Sequence, residues 1–128
     1  MIHGMNHFTI LTQDLDATLA FYQRFLDLRA GERPDLGFPG AWMYAPDGDE
    51  AILHIIAGRP MPEEPAGVID HMAFTATNLQ DHLARLDAAG VKYVVRRQRG
   101  SGTWQVFFDD PNGAKVELDF DPAEAGPA

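Results

Sequence analysis

The sequence predicts an α+β fold of two βαβββ modules, each with its strands in a mixed sheet. Three observations carry that expectation. First, the chain repeats itself: His7 and His71 stand 64 residues apart, and at that offset Asp14 falls on Asn78, Leu15 on Leu79, Leu19 on Leu83 and Tyr22 on Leu86. A recurrence of this length is the mark of a duplicated unit. Second, each copy passes from a Phe-, Thr- and Ile-rich alternating run to apolar residues at helical spacing, the step from strand to helix. Third, Gly, Pro, Asn and Asp cut the remainder of each copy into short segments of strand length.

In the first copy, residues 5–12 read as a strand. Asp14 suits a helix cap, and Leu15, Leu19, Tyr22 and Leu26 form the apolar stripe of a helix ending near Leu28. One short strand fits at 28–32, before a loop punctuated by Gly31, Pro34, Gly37, Pro39 and Gly40. Strands at 41–45 and 51–57 flank the turn Pro46-Asp47-Gly48-Asp49, making a hairpin. Residues 58–67, with three prolines and two glutamates, read as the linker between module one (3–57) and module two (68–120).

The second copy repeats the order. A strand at 69–76 leads to Asn78 as cap, a helix at 79–89 and Gly90 as its left-handed stop. Strands follow at 91–98, 103–109 and 114–120, separated by turns at 99–102 and at Asp110-Pro111-Asn112-Gly113. Both modules make one domain, 1–122. Residues 121–128, rich in Pro, Ala and Gly, are expected to be a poorly ordered tail.

The 128 residues suffice for one domain with a real core, and 45% hydrophobic with 23% charged residues is a globular composition. No Cys is present, so disulfides, thiolate metal sites and cysteine nucleophiles drop out. The start MIHGMNHF has no basic n-region, and no apolar run is long enough to span a membrane; a cytoplasmic location is the expectation. With 19 acidic against 10 basic residues the net charge is −9, which argues against nucleic acid as partner. The one basic cluster, Arg96-Arg97-Gln98-Arg99, is a solvated strand end by default, or a holder of a substrate anion.

Strand alternation assigns faces to the candidate ligands. Val116, Leu118 and Phe120 form the apolar face of the last strand and leave Glu117 opposite. Met72 and Phe74 leave His71 opposite; Phe8 and Ile10 leave His7. His54 is the one polar side chain in AILHIIA, where an unbonded imidazole would be costly. A lone histidine is commonly structural, and His3 and His82 are assigned to that class. His7, His54, His71 and Glu117, at corresponding positions of a duplicated unit, point instead to metal binding. Trp42, Tyr44, Trp104, Gln105 and Phe107 are candidates to line a pocket for a planar ligand, although strand aromatics are often plain core.

The strand–helix–three-strand order twice over, with His opening each module, resembles the vicinal oxygen chelate superfamily over residues 3–120. That group includes glyoxalase I, extradiol dioxygenases, methylmalonyl-CoA epimerase, fosfomycin resistance enzymes and bleomycin-binding proteins. FFDDPNGAKVELDF carries its most specific motif. The resemblance implies a cup whose floor holds a divalent metal on His7, His71 and Glu117. A 2-His-1-carboxylate set suits Fe(II) above all, and also Mn(II), Ni(II), Zn(II) or Co(II). His54 is then either a fourth ligand, where glyoxalase relatives carry Glu or Gln, or a non-ligand acid–base group, as in extradiol dioxygenases.

The function expected from this likeness is a metal-dependent enzyme acting on a small molecule with vicinal oxygens. An extradiol-type dioxygenase is favoured, with His54 and Glu117 in catalytic roles. Two departures weigh against it: dioxygenases of this kind carry a Tyr in the penultimate strand, where Gln105 and Phe107 stand, and are usually twice this length. Against glyoxalase I, the Arg that relatives use toward glutathione is missing after His7. A glyoxalase-type lyase or isomerase is the alternative, and a non-catalytic drug-binding protein a further one. The resemblance also implies a homodimer, with each site inside one chain or shared by two.

Overall fold

Each unit of the structure starts from a capped helix laid against a mixed sheet. In the computed structural model, which describes residues 1–128, the chain divides into residues 1–65 and residues 66–128. The first unit runs β1 (Phe8–Thr12), α1 (Leu15–Leu26), β2 (Arg29–Ala30), β3 (Gly40–Tyr44) and β4 (Ala51–Ala57). The second runs β5 (Met72–Thr75), α2 (Leu79–Ala88), β6 (Val94–Arg97), β7 (Trp104–Asp109) and β8 (Lys115–Phe120). The sheets have the orders β1-β4-β3-β2 and β5-β8-β7-β6, each with one parallel pair (β1 with β4, β5 with β8) and antiparallel neighbours otherwise. This is the expected α+β arrangement of two βαβββ modules. Strand ends are shorter than expected: β5 begins at Met72, so His71 enters the sheet from just outside it.

Helix α2 buries Leu79, Leu83 and Leu86 as the repeat predicted, whereas α1 buries Tyr22 and Leu26 of its predicted stripe and leaves Leu15 and Leu19 half-buried. Phe21, Tyr22, Phe25 and Leu26 of α1 are buried, as are Met43, Leu53 and Ile55 of the sheet it covers. In the second unit Leu79, Leu83 and Leu86 of α2 are buried together with Val106, Val116, Leu118 and Phe120. His82 belongs to this core: it is 7% exposed, with its ring edge-on to Phe120 and Nδ1 3.2 Å from the Asn78 carbonyl oxygen. Its burial and these contacts are consistent with a structural role. No helix is long and apolar enough to cross a membrane.

The caps differ between units. Asp14, in extended conformation, accepts a hydrogen bond from the Ala17 N–H at 3.0 Å, as its position predicted. Asn78 stands at the corresponding place, but in the left-handed region (φ 67°) and without a side-chain cap bond. The capping carboxylate comes from the tail: Glu124 accepts from the Leu79 N–H at 2.8 Å and the Asn78 N–H at 3.3 Å. Glu124 also receives the Trp104 indole N–H on its carbonyl oxygen, while Arg97 bonds the Pro122 carbonyl and Gln80 the Gly126 carbonyl. The tail is therefore tied down along 122–126, contrary to the expectation from composition, because one carboxylate meets orphan N–H groups at a helix start.

Candidate metal and substrate site

In the first unit β4 lies between β1 and β3, so His54 has Thr9 as register partner on one side and Trp42 on the other. His7, just before β1, stacks on His54 with ring centroids 3.7 Å apart and planes 10° from parallel. Trp42 stacks on His54 at 4.2 Å and 14°. His54 is thus the middle of a three-ring stack. Burial among these rings, the neighbouring His7 and the more distant Arg33 charge lower its pKa, against an opposing bond with the Ala51 backbone. The neutral imidazole is favoured, the form that can bind a metal or accept a proton. His7 has Nδ1 2.7 Å from the Asn6 side-chain oxygen, which leaves Nε2 available.

The second unit places charge where the first places rings. Glu117 sits in β8 between Ala73 of β5 and Phe107 of β7, and is only 4% exposed. Its Oε2 is 2.6 Å from His71 Nε2, and its Oε1 accepts a hydrogen bond from the Gln105 amide. His71 Nδ1 is 2.7 Å from Asp70 Oδ1, and Lys115 Nζ stands 3.6 Å from the same oxygen. Phe107 meets the His71 ring edge-on at 5.9 Å. Asp119 has a buried Oδ1 without a hydrogen-bond partner. Its burial, then its hydrogen bond to Glu117 and that carboxylate's charge, raise its pKa to about 6, with His71 acting in the opposite direction.

Of the four expected ligands, His7 and His54 meet in the first unit, and His71 and Glu117 in the second. Within neither unit do three His, Asp or Glu side chains form a group able to hold a metal. The donor chemistry nevertheless fits a divalent ion. The atoms of His71 and Glu117 that face each other are those that would coordinate, and each module's opening histidine has Nδ1 occupied by an outer oxygen, Asn6 or Asp70. That is how metal-binding imidazoles are oriented, with one nitrogen held by a hydrogen-bond partner and the other presented to the ion.

Among the pocket candidates, Trp42, Gln105 and Phe107 share the ligand-bearing faces. Trp104 does not. It is the register partner of the core residue Phe120, its indole bonds Glu124, and Arg97 lies over its ring at 4.4 Å. Alternation forbids neighbours 104 and 105 from sharing a face. Tyr44 is buried beyond a register shift in β3; its hydroxyl donates to the Glu32 carbonyl at 2.6 Å under the Arg29 guanidinium. It is engaged in holding the loop between β2 and β3. The residues not foreseen are Asn6, Asp70 and Asp119. The first two had a signal: each precedes its histidine, at the same 64-residue offset.

Known proteins sharpen the picture. A model of the Glyoxalase/Bleomycin resistance protein/Dioxygenase superfamily matches residues 4–118. "Glyoxylase I 4" of Arabidopsis thaliana is 28% identical over 124 residues, covering 90% of this chain and 69% of that protein. A lactoylglutathione lyase of Salmonella typhimurium is 27% identical over 119 residues, covering 88% of each. Among solved structures, a point mutant of the fosfomycin resistance protein FosX from Listeria monocytogenes, complexed with Mn(II) and 1S,2S-dihydroxypropylphosphonic acid, shares the fold. Its TM-score is 0.74 at 21% identity, covering 94% of each chain. The chain belongs to the glyoxalase/bleomycin resistance protein/dioxygenase superfamily.

Proposed function

We propose that the protein is a metal-dependent enzyme moving a proton on a small substrate with two adjacent oxygens, the lyase or isomerase chemistry of the glyoxalase type. In this reading His7, His71 and Glu117 are the ligands of one divalent cation. When bound, the cation supplies Lewis acidity, drawing charge onto the paired oxygens and acidifying the C–H bond beside them. The single observation that carries the reading is His71, which presents Nε2 toward Glu117 while Asp70 holds Nδ1. Gln105 fixes Glu117 Oε1, so that Oε2 keeps its place opposite the imidazole. His54, kept neutral between His7 and Trp42, accepts the proton and returns it at the adjacent carbon.

The extradiol reading remains the second one, because the same neutral His54 would serve a catechol. Proton transfer is preferred over it for two reasons: relatives similar in sequence include proteins with glyoxalase-type and epimerase names, and Phe107, with no hydroxyl, is the register partner of Glu117. A non-catalytic binder is disfavoured by the orientation of four ligand-type side chains. The reading includes a homodimer, checked by light scattering, and a cytoplasmic location.

Metal analysis of anaerobically purified protein tests the proposal. About one divalent ion per chain is expected, with a rise in Tm on adding Mn(II), Fe(II), Ni(II), Zn(II) or Co(II). No bound metal and no rise with any of them would falsify it. Solvent deuterium incorporation into hemithioacetals and α-hydroxy ketones, against oxygen uptake with catechols, separates the two chemistries.

A further inference from the structure

Beside His71 the second unit opens a cleft of about 430 Å³, within the size range of small-molecule sites. His71, Phe107, Val94, Lys92, Arg96 and Lys115 line it. The cations are not equivalent. Lys115 is taken by Asp70, but Lys92 and Arg96 have no acidic partner in a chain whose net charge is −9. Arg96 is held over the Phe107 ring, its guanidinium carbon 5.4 Å from the centroid, and its N–H groups form no hydrogen bond. Phe107 in turn touches the His71 ring. The cleft thus passes from a metal-ligand histidine, across an apolar aromatic floor, to unneutralised donors. Of the acids on its rim, Asp70 is engaged by His71 and Lys115, and Asp109 makes no ion pair with Lys92 or Arg96.

We infer that this cleft is a subsite for the anionic end of the substrate, a carboxylate or phosphate received by Arg96 and Lys92 while the apolar middle lies on Phe107 and Val94. The inference rests on the metal reading for the role of its His71 end, and narrows the substrate to anions whose reacting oxygens lie across one aromatic ring from the charge. A guanidinium fixed on a ring is suited to it, because its fork meets such oxygens two at a time.

Phenyl phosphate, benzoate and neutral benzyl alcohol, titrated into the protein and followed by amide chemical shifts, test the subsite. Phenyl phosphate, benzoate or both should shift the amides of Lys92–Arg96 and Phe107 while benzyl alcohol does not; which anion binds tighter identifies the headgroup. Replacing the two cations together (Lys92→Gln with Arg96→Gln) should weaken anion binding by at least about tenfold with Tm unchanged, and Arg96→Lys, which keeps the charge but loses the fork, should fall between that variant and the parent. Arg59→Gln, an exposed cation of the other unit, should change nothing. Undiminished binding in the double variant, shifts confined to other residues, or equal weakening by Arg59→Gln would overturn the subsite. Because the readout is anion binding rather than metal content, either proposal can fail while the other stands.

Discussion

The two units share strand order, register and helix placement, yet they put opposite chemistry at equivalent points. The middle strand of the first carries His54, clamped between His7 and Trp42 and kept neutral. The middle strand of the second carries Glu117, facing His71 beside a second carboxylate, Asp119. Even the neighbour in the next strand corresponds, Trp42 in one unit and Phe107 in the other. Duplication fixed where side chains stand, and divergence set what they do. In the proposed reaction a neutral base and an anionic ligand have separate tasks, which two identical units could not supply.

That division of labour can be broken most severely at the metal. Glu117→Gln keeps the shape of the side chain but removes its charge, and should weaken metal affinity by about a hundredfold or more, measured by competition with a chelator. His54→Ala should leave affinity within a few-fold but slow turnover by about a hundredfold, the usual share of a general base. Equal loss of metal in both variants would make His54 a ligand and erase the proposed contrast. Gln105→Leu, which frees Glu117 Oε1, should fall between them and act on affinity rather than on the pH profile.

The caps give a smaller comparison. Asp14→Ala removes a local cap and Glu124→Ala a distant one, and each should cost about 1 kcal/mol in denaturant unfolding. Deleting residues 121–128 should cost more than Glu124→Ala, because the bonds to Trp104, Arg97 and Gln80 go as well. A deletion without effect would return the tail to the role its composition suggested.

The fold was largely legible in the sequence, since its evidence is local: apolar stripes at helical spacing, turn residues and a repeat at one offset. The faces of His54, Glu117, Gln105 and Phe107 followed from alternation, and the structure brings His7 to His54 and His71 to Glu117. What escaped depends on contacts distant along the chain. Glu124 caps a helix that begins 45 residues earlier, and no short-range pattern marks a carboxylate as a distant cap. Trp104 was misplaced by weighing residue type above parity. Asp119 shares the face of Glu117 by alternation, but its burial against Glu117, beside its register partner Gln105, depends on packing that no local pattern marks.

Acid titration separates the units by sign, and is the smallest effect. His54 has a lowered pKa, so the unfolded chain takes up that proton first, and its contribution to stability is lost as pH falls below about 6.5. Asp119 is raised from 3.8 to about 6, so the folded chain keeps a proton that the unfolded chain has released. Its contribution therefore runs the other way, present below about pH 4 and lost as pH rises through about 6. With metal removed by a chelator, Asp119→Asn should be more stable than the parent at about pH 7, by about 1 kcal/mol after allowance for solvent screening, and lose that advantage near about pH 4. His54→Asn should match the parent least below about pH 6, where it escapes the loss. Denaturant unfolding between about pH 4 and about pH 8 measures both slopes. Slopes of the same sign would mean that the two pairs share one electrostatic character, and that the division between a neutral and an anionic half does not hold.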